Sequence, residues 1–137
     1  MGRILALDYG KKRTGVAVTD PLQIIATSLE TVNTNELIGY LKKYIAKEPV
    51  DKIVIGYPLN FNDSATDATP LVEKFIVKFH NVFPEMEVIK RDERMTSRMA
   101  SDAISQMGLK KKIREQKELV DSVAAVIILQ EYLESQG

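Results

Sequence analysis

The chain contains no cysteine, no tryptophan and one histidine, His80. Without thiols there is no disulfide framework and no thiolate metal site, and one imidazole builds no histidine cluster, so structural zinc is not expected. An excess of charge of one sign is also missing, because 19 Lys and Arg balance 19 Asp and Glu. No global field draws the protein toward nucleic acid or an anionic membrane, and any such attraction has to come from local clustering. Long apolar runs are absent too. Nothing approaches the roughly 20 residues that span a bilayer, and the opening MGRILALDYG lacks the apolar stretch of a secretory signal. The expectation is a cytoplasmic protein. What is present, 137 residues of which 45% are hydrophobic and 28% charged, suits one globular domain over 1–137 and excludes a disordered chain, a collagen or a coiled-coil rod.

Residues 3–8, RILALD, form a short apolar segment that reads as a strand ending on an acid. A Gly-opened polar connection over 10–14 leads to an alternating strand at 15–20, giving a hairpin. A weaker strand at 24–32 completes an antiparallel meander. The period then changes: Leu37, Ile38, Leu41, Tyr44 and Ile45 share one helical face, with Asn33 and Glu36 spaced as a capping pair and Pro49 as the stop. KIVIGY at 52–57 is an unalternating apolar run, predicted to be a strand covered on both faces and the centre of the sheet. A polar loop over 58–69 precedes a second helix, with Pro70 in its first turn and a stripe of Leu71, Val72, Phe75, Ile76 and Phe79. A fifth strand at 86–91 runs into Asp92 and Glu93. A third helix carries Met99, Ala100, Ala103, Ile104 and Met107 and stops at Gly108, and the last, over 119–133, is apolar almost all round and predicted to be buried. This order predicts an α/β fold, with a three-strand antiparallel meander plus two parallel strands in one five-stranded mixed sheet flanked by helices.

Three acids stand out by position. Asp8 ends the first strand, Glu93 follows the fifth, and Asp121 sits near the start of the apolar final helix. A carboxylate among apolar neighbours loses hydration, and three that converge repel one another unless a divalent cation lies between them. Mg²⁺ (or Mn²⁺) takes such oxygen ligands and supports phosphodiester hydrolysis, which makes these residues candidate catalytic and metal ligands. Each also has a structural reading: Asp8 closing the hairpin, Glu93 pairing with Arg94 or Arg98, Asp121 at a helix start favoured by the dipole. Sequence spacing does not choose between convergence and three separate roles.

The cations add an independent observation. Lys11, Lys12 and Arg13 follow Asp8, Arg94 and Arg98 flank Glu93, and Lys110, Lys111 and Lys112, with Arg114 and Lys117, precede Asp121. If the acids meet, these side chains rim the same cleft and hold the phosphates of a nucleic acid, an attraction that a net charge of zero hides. The stretch 110–117 reads equally well as a solvated charge run. Few aromatics, Tyr9, Tyr57 and Phe61, fall near the proposed cleft, so backbone and shape recognition is expected rather than base stacking. A phosphate loop of the actin-like or sugar-kinase kind over 8–14 is the rival from another class, but the chain is too short for the second lobe of such a nucleotide clamp. A non-catalytic RNA-binding assembly factor is the third reading.

Four ordered segments, LALDYGKKRTGVAVTD, IVIGYPLN, RDERMTS and VDSVAAVIILQEYL, closely resemble the YqgF/RuvX family of Holliday-junction-resolvase-like nucleases across nearly the whole chain. The resemblance implies a ribonuclease H-like fold and a cytoplasmic nuclease using Mg²⁺ or Mn²⁺. The family's acids fall on Asp8, Glu93 and Asp121. It implies structured RNA as partner, through a role in processing the 5′ end of pre-16S ribosomal RNA, with cleavage of branched, four-way DNA as the other suggestion. Monomer and homodimer both stay open. Two positions depart from the pattern: Asp63 stands where the family commonly has Gly, and Gly56 ends the fourth strand where the wider ribonuclease H-like group commonly places its second acid.

Overall fold

The computed structural model describes residues 2–57, 68–92 and 117–136, the last stretch with its side chains from Val123 onward. Among these residues the order is β1 (Arg3–Asp8), β2 (Arg13–Thr19), β3 (Ala26–Asn33), α1 (Leu37–Lys47), β4 (Val50–Tyr57), α2 (Thr69–Val82), β5 (Glu87–Asp92) and α3 (Lys117–Gln136). A 3-10 turn over Thr34–Glu36 leads into α1. The helix expected over Met99 to Met107 lies outside the described residues. Among those described, no helix is long and apolar enough to cross a membrane.

One sheet has the order β3-β2-β1-β4-β5. The short connections at 9–12 and 20–25 allow only antiparallel neighbours, so β1 pairs β2 and β2 pairs β3 antiparallel. β3 leads through α1 into β4, and β4 through α2 into β5; β1–β4 and β4–β5 are the two parallel pairs. The expected mixed sheet is therefore present, with one correction: β1, not β4, is its centre. KIVIGY misleads on this point because β4 also has a strand on either side and helices on both faces, which is all that an unbroken apolar run reports.

Strand alternation divides the core into two layers. Leu5, Leu7, Val16, Val18, Ile53 and Ile55 meet Leu37 and Leu41 of α1 and Val72, Phe75, Ile76 and Phe79 of α2. On the other face Ile4, Ala6, Ala17 and Val54 meet Ala125, Ile128, Leu129 and Tyr132 of α3. Small residues at 6, 17 and 125 give α3 a close seat. Each buried Leu, Ile or Phe contributes about 1.5–3 kcal/mol, so α3 is a structural layer, as its all-round apolar sequence predicts.

Several boundaries differ from the sequence reading for local reasons. β2 starts at Arg13, because Arg13 and Thr14 still pair with Asn33 and Val32. β3 starts at Ala26, because the Asp20 carboxylate accepts the N–H groups of Leu22 (3.2 Å), Ile24 (2.8 Å) and Ile25 (2.8 Å) and curls this stretch into a turn. Gln23 reaches the left-handed region there, at φ 59°. The Asn33 and Glu36 capping pair does not form: neither side chain makes a cap bond, and the 3-10 turn separates Asn33 from the start of α1 at Leu37.

Candidate active site

Asp8 is the last residue of the central strand. The residues before it, Ile4 to Leu7, are at most 2% exposed, whereas Asp8 is half-buried at the strand's end. Alternation places it on the face of Ile4 and Ala6, the side covered by α3. β4 and β5 finish alongside: Leu7 pairs Ile55, and Tyr57 pairs Asp92. Asp92 is exposed at this rim and Glu93 is the next residue in sequence. Glu93 itself, Arg94, Arg98, Lys110, Lys111 and Lys112 lie outside the described residues. Asp121 belongs to the described helix α3, and its side chain is outside the description. Among the described residues no three His, Asp or Glu side chains gather as a metal site.

The connection after Asp8 is held by neutral groups. Thr34 Oγ1 donates to the Gly10 carbonyl at 2.6 Å and lies 2.9 Å from Thr14 Oγ1, while the Thr34 N–H donates to the Lys12 carbonyl at 2.9 Å. Thr14 is fully buried. The backbone also closes tightly on itself, since a Cβ at Gly10 would collide with the Arg13 carbonyl oxygen. The loop thus delivers Lys11 and Lys12, both exposed, next to Asp8; Arg13 is half-buried at the start of β2. Sequence reading missed the parts played by Thr34, Thr14 and Gly10 as anchors. The available signal was a threonine two residues after a predicted strand, opposite a Gly-containing turn.

Tyr57, one of the few aromatics expected near the cleft, ends β4 beside an ion pair. Lys90 Nζ donates to Glu73 Oε1 at 2.7 Å and sits 5.0 Å from the Tyr57 ring centroid. The hydrogen bond from Lys90, then the one from Tyr57, holds the Glu73 carboxyl below the usual carboxylate range. Glu73 in turn raises both the Tyr57 phenol and the Lys90 ammonium, in each case chiefly through its hydrogen bond. Burial raises the phenol of Tyr9, which packs on Phe75 with ring centroids 4.9 Å apart. Both tyrosines therefore stay protonated at neutral pH. His80 is exposed on α2.

The one described candidate donor, Asp8, is of the kind that a hard divalent cation takes. Asp8 offers carboxylate oxygens at a partly dehydrated strand end, and no thiol exists in the chain to favour a softer ion.

A family model described as RuvX, Holliday junction resolvase, matches residues 2–135. A protein of Flavobacterium psychrophilum carrying the name "Putative pre-16S rRNA nuclease" is 49% identical over 133 residues, covering 97% of each chain. A protein of the same name from Bacteroides thetaiotaomicron is 49% identical over 136 residues, covering 99% of each. Among solved structures, RuvC of T. thermophilus in complex with a Holliday junction substrate superposes with a TM-score of 0.60 at 14% identity, covering 99% of this chain and 96% of that one. That likeness shows the fold, which is ribonuclease H-like. With a family model matched from residue 2 to residue 135 and relatives at 49% identity over nearly full length, the chain belongs to the RuvX family.

Proposed function

We propose that this protein is a cytoplasmic, divalent-metal-dependent endonuclease that hydrolyses phosphodiester bonds at the 5′ side of precursor 16S ribosomal RNA. The observation that carries the reading is Asp8, a half-buried carboxylate at the end of the central strand, on the face covered by the helix that contains Asp121. The lengths support a meeting of the two. Lys52 Nζ donates to the Tyr132 hydroxyl at 3.3 Å, and Lys52 pairs with Ile4, so the last turns of α3 rest at the start of β1. From Tyr132 back to position 121 the helix covers roughly 16 Å at 1.5 Å per residue. From Ile4 to Asp8 the strand covers roughly 13 Å at 3.3 Å per residue. Position 121 also precedes the buried Ala125 by four residues and Ile128 by seven, the spacing of one helical stripe.

Asp8, Glu93 and Asp121 would hold Mg²⁺ or Mn²⁺. When bound, the ion supplies a water acidic enough to attack near neutral pH and stabilises the oxygen that leaves. The rest falls to the chain: Lys11, Lys12 and Arg13, with Arg94, Arg98, Lys110, Lys111 and Lys112, hold the flanking phosphates and so fix the register of the strand. RNA is preferred as substrate because the relatives at 49% identity carry the ribosomal RNA name, whereas the RuvC likeness at 14% identity concerns the fold. The family description favours a second reading, cleavage of a four-way DNA junction.

The test is a side-by-side cleavage assay on precursor 16S RNA and a four-way junction, with Mg²⁺, Mn²⁺ and chelator. Metal-dependent cleavage of the RNA is the expected result. Cleavage of the junction alone moves the protein to the second reading, and binding without cleavage of either makes it a non-catalytic assembly factor.

A further inference from the structure

On the face of the sheet opposite α3, a groove of about 490 Å³ opens between the β1–β2 loop, the start of α1 and α2. Tyr9 on Phe75 and the side chain of Ile38 give it apolar surfaces. Lys74 and Lys78 line it from α2, both exposed and one helical turn apart, with Asn35 contributing an amide from the 3-10 turn. Among the described residues no acid lines this groove and neither lysine has an ion-pair partner. Glu73, the adjacent acid in sequence, is engaged by Lys90 instead. The contrast with the hollow at the other end of α2 is plain, because that one is lined by Asp51 and Glu85.

Tyr9 directly follows Asp8, so the groove opens at the same end of β1 as the candidate active site, on the other face of the sheet. It then leads away along α2, whose far end, Val82, lies with Val50 at the start of β4. Side chains four apart on a helix have Cβ atoms about 5–6 Å apart. That is close to the separation of neighbouring phosphates in an extended strand. Lysine ammonium groups bind phosphates as point charges, and grooves that combine cations with an aromatic face suit single strands. A hollow of this size is too small for a duplex.

We infer that this groove holds a single-stranded RNA flank of the substrate, with Lys74 and Lys78 each meeting one phosphate and Tyr9 presenting its ring to a sugar or base. The inference rests on the nuclease reading for its choice of ligand, and its test does not depend on cleavage. The probes are a fluorescein-labelled RNA stem with a single-stranded flank and the same stem without it, titrated in chelator and followed by anisotropy over a range of salt. The variants are K74E/K78E and the charge-matched pair K43E/K47E, exposed on α1 at the same spacing and away from the groove.

K74E/K78E should weaken binding of the flanked stem about tenfold or more and reduce its salt slope by roughly 1.4, two phosphates at about 0.7 each. K43E/K47E should do neither, and the bare stem should not distinguish the two variants. Equal losses in both variants, or an unchanged slope in K74E/K78E, would overturn the inference even if the wild type cleaves RNA. A wild type that binds without cleaving, yet shows the slope change, would overturn the nuclease reading and leave the groove standing.

Discussion

At the end of the sheet where β1 and β4 begin, acids are consumed by their neighbours. Asp51 accepts the Gly2 N–H at 3.1 Å and the Gln23 amide at 2.8 Å, and that same amide donates to the Gly2 carbonyl at 2.7 Å. Asp20 takes three backbone N–H groups, which hold its carboxyl below the usual range, and Arg3 donates to the Thr19 carbonyl at 3.0 Å and pairs with Glu48 at 3.4 Å. At the opposite end the anchoring bonds run through hydroxyls and backbone, Thr34 to Gly10, Thr14 and Lys12, while Lys11 and Lys12 project into solvent. Charge at the first end closes the fold. At the second, hydroxyls and backbone fasten the β1–β2 loop, which leaves the exposed Lys11 and Lys12 available to a ligand.

That contrast breaks most sharply under Asp8→Asn. Cleavage should fall more than about 100-fold, because even outer-shell partners of a metal cost 10–100-fold, while the melting temperature barely moves. Asp20→Ala should do the reverse, lowering the melting temperature by calorimetry while kcat on the same RNA is retained. A loss of activity in Asp20→Ala, or of stability alone in Asp8→Asn, would erase the distinction between the two ends.

Smaller changes sharpen it. Gly10→Ala forces its Cβ against the Arg13 carbonyl, and overpacking of this kind costs about 1–3 kcal/mol. Here stability and activity should fall together, since the displaced loop carries Lys11 and Lys12; denaturant titration and cleavage rate read the two. Thr34→Val removes the hydroxyl that serves both the Gly10 carbonyl and Thr14, for about 1–2 kcal/mol, with a smaller effect on rate. Smallest is the Tyr57–Glu73–Lys90 group. Its carboxyl is lowered in the folded state, so its stabilisation is present above the usual carboxylate range and is lost as pH falls through the lowered value. The raised Lys90 contributes below the usual lysine range and loses its contribution as pH rises through its folded value. Both partners are largely exposed, at 46% and 41%, so Glu73→Gln should flatten the acid limb of stability by less than about 1 kcal/mol.

The elements were legible wherever a local period speaks for itself: the buried run of β1, the stripe of α2 with Pro70 in its first turn, the apolar α3. Their arrangement was legible through connection length, since short turns make hairpins and helices make parallel crossovers. What the sequence does not state is which strand takes the middle, because β1 and β4 are both covered on two faces and read alike. Side-chain competition was hidden as well. Asp20 shortens β3 by capturing backbone N–H groups two, four and five residues on, and Asn33 ends β3 against Arg13, distant in the chain, without capping. Of the candidate site, Asp8 was legible as an acid closing an apolar strand. The threonine anchors and the Lys74–Lys78 groove were not, because they exist only once the β1–β2 loop, the start of α1 and α2 are folded together.

Asp8, Glu93 and Asp121 are proposed to act together in holding divalent metal. Titration of Mn²⁺ into the full-length protein, followed by electron paramagnetic resonance, tests that joint action without any substrate. The wild type should bind, and Asp8→Asn, Glu93→Gln and Asp121→Asn should each weaken binding more than about tenfold. Equal Mn²⁺ binding by the wild type and all three variants would contradict it.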